Sequence, residues 1–312
     1  MSRDPLVSVV IPAYNAAKFI DKTIDSVRLQ TFIDYEVIVV DDGSHDQTKE
    51  VVNNNLKRNG IRGCCIRQNN RGIAGARNTA IAEARGKFIA LLDHDDIWYP
   101  AKLQRTMDEF RLHPQVGLVS HHLMMVKNGK KVGILKTGPA SKKMYENILF
   151  CSRGSLLTPT AAVFKRVKAV EIGGFRENPE FNTAEDLDFW LRLCKVTEFR
   201  FINETLGEYT VIGSGASKKI LYHGKSVEAV LRDHLIKHFG SDPSWINQIR
   251  TRKRFANLYR TILYELMNQK AARDIQRKML IKMLNNYPFN LKNIVVTALW
   301  LLKRQRNDHE PD

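Results

Sequence analysis

Residues 7–11, 37–40 and 88–92 are short apolar runs, and each gives way abruptly to a polar tetrad: Pro12-Ala13-Tyr14-Asn15, Asp41-Asp42-Gly43-Ser44 and Asp93-His94-Asp95-Asp96. Runs that are apolar almost without alternation belong to strands covered on both faces. Between them lie stretches with helical spacing. Ile20, Ile24 and Val27, with Phe32 loosely added, share one face, residues 74–84 form a second helix, and Cys65-Ile66 marks a further short strand. Strand, helix and strand in this rhythm predict βαβ units around a mostly parallel sheet. Ligands of such sheets bind beyond the carboxyl ends of the strands. The three tetrads therefore fall on one rim and form a candidate site.

The pattern then changes. A helix is expected from Pro100 to about His113, a strand over 116–119, and a hairpin whose turn is Lys127-Asn128-Gly129-Lys130. From about Leu221 strand signals fade and helical spacing takes over, as in 254–267 and 275–284. We expect a domain boundary near Ser217, with an α/β catalytic domain over 1–217 and a basic helical region over 218–312. The formal net charge is +16, and residues 221–312 hold 17 Lys/Arg against 8 Asp/Glu. That excess favours an anionic partner such as phospholipid, nucleic acid or an acidic glycan, and fits equally a solvated, solubilising face.

Several classes are set aside at this stage. Cys64, Cys65, Cys151 and Cys194 form no C-x-x-C pair and no zinc-finger spacing, and His94, His121 and His122 lack a ligand set. No recognisable nucleic-acid motif accompanies the basic tail, and aromatics are not interleaved as a stacking platform, so no nucleic acid is expected. No secretory signal opens the sequence, and the longest late apolar stretch, 294–302, falls short of the ~20 residues needed to span a bilayer. The expectation is a cytoplasmic protein. A basic helical tail ending in 294–300 and Lys303-Arg304-Gln305-Arg306 suits a peripheral place on an anionic membrane.

Carboxylates at a strand end suit hard divalent cations, and such a cation neutralises a leaving diphosphate. Asp93 and Asp95, in D-x-D spacing, can reach one metal–diphosphate complex. Alone the spacing is a weak signal, since Asp95 or Asp96 could simply cap the following helix. Six ordered motifs over residues 5–215 strengthen it. They are Val9-Val10-Ile11-Pro12-Ala13-Tyr14-Asn15; Val39-Val40-Asp41-Asp42-Gly43-Ser44; Asn69-Asn70-Arg71-Gly72-Ile73-Ala74-Gly75-Ala76-Arg77-Asn78; Leu91-Leu92-Asp93-His94-Asp95-Asp96; Gly173-Gly174-Phe175; and Glu185-Asp186-Leu187-Asp188-Phe189-Trp190-Leu191-Arg192. On these the chain resembles a family 2 glycosyltransferase of the GT-A fold, inverting and of the bacterial cell-surface polysaccharide type.

The resemblance implies a nucleotide-sugar donor, with a UDP-sugar favoured, and a Mn²⁺ or Mg²⁺ cofactor. It gives Pro12, Tyr14, Asp42, Arg77 and Asp93 to the donor, Asp95 to the metal and Asp186 to the base that deprotonates the acceptor. Glu185 and Trp190 would stand on the acceptor side. Plainer readings stand beside these: a strand-to-helix turn for Asp42, a surface arginine for Arg77, an acidic helix start for Glu185-Asp186, and a core position for Trp190. The stretch after Tyr209 lacks the basic residue and histidine of many relatives, which leaves Lys218 or Lys219 to supply phosphate contacts. Without a Q-x-x-R-W signature or membrane spans, single sugar addition to a glycan or lipid-linked acceptor is expected. The alternatives are a sugar nucleotidyltransferase, disfavoured by the missing Gly-rich basic loop after the first strand, and a catalytically inactive glycan-binding or scaffolding relative.

Overall fold

The computed structural model describes residues 3–151, 156–211, 217–240 and 243–307, with the side chains of 217–218 and 302–307 excepted. The chain divides into two compact units, Met1–Ile148 with Ser155–Gly213, and Leu149–Gly154 with Ser214–Asp312.

The first unit begins with the alternation expected from the apolar runs: β1 (Val7–Ala13), α1 (Ile20–Arg28), β2 (Tyr35–Asp41), α2 (Thr48–Arg58), β3 (Gly63–Arg67), α3 (Gly72–Glu83) and β4 (Phe88–Leu91). Then come β5 (Ile97–Trp98), α4 (Lys102–Leu112), β6 (Val116–Lys127), β7 (Lys130–Leu135), α5 (Met144–Leu149), β8 (Val163–Lys165), α6 (Arg166–Glu171), α7 (Glu185–Leu193) and β9 (Glu198–Thr210). Among the described residues one sheet runs β3-β2-β1-β4-β8-β6-β9-β5, with β7 paired to β6. The β3-β2-β1-β4 half is parallel. Beyond β4 the sheet is mixed: β8 pairs antiparallel with β4 and β6, and β6 runs parallel to β9. The β6–β7 hairpin turns at Asn128 and Gly129, both with positive φ (50° and 73°), which is why an Asn-Gly pair stands there.

β1 is buried along its whole length, and Ile20, Ile24 and Val27 of α1 pack into the same core as Val37, Val39, Ala90 and Leu103. The core therefore holds three strand ends, after β1, β2 and β4, side by side. That register places their polar residues on one rim.

The second unit is helical: α8 (Ser217–Phe239), α9 (Trp245–Asn268), α10 (Arg273–Asn286) and α11 (Leu291–Asn307). α9 packs against the other three and buries Phe255, Tyr259, Ile262, Leu263 and Leu266. α11 is pinned by Trp300, whose Nε1 donates to Gln276 Oε1 at 2.9 Å, and by the buried Asn293, whose Nδ2 donates to the Tyr287 carbonyl at 2.7 Å. No helix among the described residues is long and apolar enough to cross a membrane.

Candidate active site

The rim is built from loops that fix one another. After β1, Asn15 takes a left-handed conformation (φ 50°), and its backbone N–H donates to Ser44 Oγ at 2.9 Å. Its side chain accepts from the His45 N–H at 2.9 Å. Tyr14, beside it, is 44% exposed and free to meet a ligand. Pro12 is buried in β1, with its carbonyl 3.3 Å from His94 Nδ1. Asp42 is nearly buried: Oδ1 accepts from the Arg71 N–H at 2.9 Å and from Gln68 Nε2 at 2.7 Å. No described protein group is hydrogen-bonded to its Oδ2. Asp42 thus orders the loop ahead of α3 and keeps one acceptor lone pair set available.

After β4 the acidic tetrad separates into distinct roles. Asp93 Oδ1 accepts from Arg77 at 2.9 Å. No other described residue donates a side-chain or backbone hydrogen bond to the Asp95 carboxylate, and burial with the Asp93 charge pushes its pKa up. Asp96 is buried and does not cap the following helix. Its Oδ1 accepts from the Thr210 N–H at 2.8 Å, its Oδ2 from the Thr160 hydroxyl at 2.5 Å, and its carbonyl from the Thr23 hydroxyl at 3.0 Å. The Thr210 hydroxyl in turn donates to the Asp95 carbonyl at 2.5 Å. Asp96 is a clamp that fastens the tetrad to the end of β9.

Arg77 is not the surface arginine of the plainer reading. Its side chain is 1% exposed, and its terminal nitrogens donate to Glu185 Oε1 at 2.7 Å and Asp93 Oδ1 at 2.9 Å, with the Phe175 ring 5.3 Å from Cζ. It therefore ties two carboxylates together inside the protein. Its two anionic partners raise its pKa, outweighing burial. Glu185 is buried with it: its carboxylate is hydrogen-bonded to Arg77, and burial pushes its pKa up to about 7. Trp190 has no accessible surface, packs edge-on against Phe164 and Phe189, and lies in the core; it lines no acceptor pocket. Asp186 opens α7, accepts the Leu187 N–H at 2.8 Å, and has its pKa raised by burial against the lowering pull of Arg77.

Two features escaped the sequence reading. Tyr209 lies among the carboxylates: burial first, then the charges of Asp96, Asp93, Asp95 and Asp186, push its pKa up to about 12. Asn78 and the Gly173-Gly174-Phe175 turn lock together, Nδ2 donating to the Phe175 carbonyl and Oδ1 accepting the Phe175 N–H, both at 2.8 Å. Gly174 has φ +68°, and a Cβ there would sit 2.6 Å from Asn78 Oδ1, so only glycine fits. Gly75 is required against the Arg71 side chain, where a Cβ would come within 2.5 Å. Gly213, Ser214 and the Lys218 side chain lie outside the described residues, and Lys219 is exposed.

Asp93, Asp95, Asp96, Glu185 and Asp186 crowd one region, and among the described residues Arg77 is the cation hydrogen-bonded into it. The carboxyls of Asp95, Asp96, Glu185 and Asp186 have raised pKa values. The Asp95 carboxylate, open and beside Asp93, is a hard-oxygen ligand of the kind a divalent cation takes.

The sequence profile described as Glycosyl transferase family 2 matches residues 8–172. Escherichia coli chondroitin synthase is 31% identical over 223 residues, covering 71% of this chain and 31% of the synthase. The chain spans less than two thirds of the length of the first curated relatives it matches. Among solved structures, Pyrobaculum calidifontis mannosyltransferase PcManGT, in complex with GDP-Man and Mn²⁺, aligns with a TM-score of 0.61 at 18% identity over 99% of this chain and 89% of that one. Staphylococcus aureus TarS 1–349 in complex with UDP-GlcNAc aligns at 0.57 and 19% identity over 90% of this chain and 89% of that one. Both likenesses concern the fold, a GT-A arrangement of mixed sheet and flanking helices with C-terminal helices added.

Proposed function

The chain belongs to glycosyl transferase family 2, and from that premise we propose that it transfers a single sugar from a nucleotide-sugar, with a UDP-sugar favoured, to a glycan or lipid-linked acceptor in cell-envelope polysaccharide assembly. The observation that carries this reading is the carboxylate crowd after β4 and at the start of α7, two of whose members, Asp93 and Glu185, Arg77 holds, on the rim where open sheets take their ligands.

Within this reading Tyr14 and Asp42 receive the base, Tyr14 by its exposed ring and Asp42 by an oxygen that accepts an imide N–H. Asp95 would hold Mn²⁺ or Mg²⁺ and Asp93 the ribose or sugar. The bound cation would neutralise charge on the departing diphosphate. Asp186 takes the proton of the attacking acceptor hydroxyl, and a single displacement opposite the leaving group inverts the anomeric carbon. Its raised pKa makes it a stronger base than an ordinary aspartate. Arg77 holds Asp93 and Glu185, and through Glu185 the start of α7, at fixed separation, so that donor carboxylate and base share one frame. A UDP-GlcNAc complex of TarS and a GDP-Man, Mn²⁺ complex of PcManGT support a nucleotide-sugar donor and a metal. A peripheral place on the inner face of the plasma membrane completes the proposal.

The test is a donor panel (UDP-glucose, UDP-GlcNAc, UDP-glucuronate and GDP-mannose) scored for nucleoside diphosphate release with Mn²⁺ present. The reading requires turnover of at least one UDP-sugar, suppressed by chelation. Turnover of none, with triphosphate and sugar phosphate condensed instead, would favour the nucleotidyltransferase.

A further inference from the structure

The outer side of α11 is apolar and open. Leu291 (76% exposed), Ile294 (54%), Val295 and Leu299 stand out to solvent, with Leu301 at the edge and Phe289 (88%) just before the helix. The opposite side holds Asn293, Val296 and Trp300, all buried in the helical unit. At 100° per residue the open positions fall on one continuous arc, so this is a single face and not scattered apolar residues. Lys292, exposed, borders that arc.

We propose that this face lies in the headgroup region of an anionic phospholipid surface, with α11 parallel to the bilayer. This deepens the peripheral location proposed above and rests on it for its setting. Two observations select the occupant. First, residues 221–312 hold 17 Lys/Arg against 8 Asp/Glu, and the chain carries +16. A second copy seated on this face would bring one basic unit against another, whereas an anionic surface complements both the charge and the apolar arc. Secondly, α11 has 17 residues, a length of about 25 Å against a hydrocarbon core of about 30 Å. It is too short to span, and half its circumference is already used inside the protein. An interfacial helix needs one apolar face with basic charge at its border, and that is the arrangement present.

The experiment is cosedimentation of the full chain with vesicles of phosphatidylcholine alone or with phosphatidylglycerol added, at low and high salt. The wild type is expected to sediment with the anionic vesicles, less so in high salt, and to stay in solution with the neutral ones. The double variant Leu291→Glu/Leu299→Glu changes two exposed side chains and is expected to bind anionic vesicles about ten-fold more weakly. Its thermal unfolding should match the wild type, and Leu291→Phe should keep binding. Equal sedimentation by the double variant, or none by the wild type, overturns the proposal. So does a wild-type dimer that the double variant abolishes, which would make a second copy the occupant. Donor turnover is measured on the same samples. In the wild type, turnover without vesicle binding sinks this inference alone, and vesicle binding without turnover sinks the catalytic reading alone.

Discussion

In the unit formed by Met1–Ile148 and Ser155–Gly213, the charges that matter are inside, and each is held by a specific partner. Arg77, Glu185, Asp42 and Asp96 are all nearly inaccessible and all hydrogen-bonded. The unit formed by Leu149–Gly154 and Ser214–Asp312 does the reverse. Its ion pairs, such as Lys237–Asp233 at 2.8 Å, sit on exposed helix surfaces, and its open apolar residues lie alongside them. Buried, paired charge is costly to assemble and fixes geometry, which is what bond-making chemistry needs. Exposed charge beside exposed apolar surface fixes little by itself, but it attracts a surface of opposite character. The contrast is the basis for the two proposals, chemistry in the first unit and surface binding in the second.

That contrast can be broken by substitution. The largest effect is expected at the proposed base: Asp186→Asn should lower transfer by roughly 10²–10⁴-fold while nucleotide binding persists, measured by single-turnover kinetics. Retained transfer would remove the base from α7. Next comes Arg77→Met. Leaving Asp93 and Glu185 without their shared cation should cost about 3–5 kcal/mol of stability by denaturant unfolding. A loss below about 1 kcal/mol would mean that the two carboxylates do not depend on it.

A smaller effect concerns pH. Glu185 is raised from 4.5 to about 7 in the folded chain. The folded state therefore holds its proton more tightly than the unfolded chain, and the stability this contributes is complete below pH 4.5 and lost as pH rises to about 7. Glu185→Gln should flatten the fall in Tm across that window; an unchanged slope would show that the carboxyl is not held in its buried, protonated-favouring state. At the small end, Lys237→Ala in the helical unit should change stability by less than about 1 kcal/mol, since the Lys237 side chain is 55% exposed. A cost equal to that of Arg77→Met would erase the contrast between the units.

The fold's outline was legible because it is written in local pattern. Unbroken apolar runs read as β1, β2 and β4, and the Asn-Gly turn as the β6–β7 hairpin. The mixed half of the sheet was not legible, since pairing of β8 between β4 and β6 depends on distant partners. The same divide runs through the site. Asp93 and Asp95 stood out as acids ending a buried strand. The clamp on Asp96 did not, because Thr160 and Thr210 lie 64 and 114 positions along the chain. Arg77 was visible as a residue of interest, but its partner Glu185 is 108 positions away, so its burial could not be read. Trp190 shows the limit of spacing: one helical turn from Asp186 shares its helix but not its environment, and Phe164 and Phe189 claim the ring for the core.

The central claim is that the carboxylate crowd is a cation-dependent diphosphate site. Calorimetric titration of UDP into the chain with and without Mn²⁺ tests it directly, on the wild type and on Asp95→Ala. The account predicts binding to the wild type that is at least about ten-fold tighter with Mn²⁺, and an Asp95→Ala variant in which that difference disappears. UDP binding that is equally tight without the metal, or a metal dependence that survives Asp95→Ala, would contradict it.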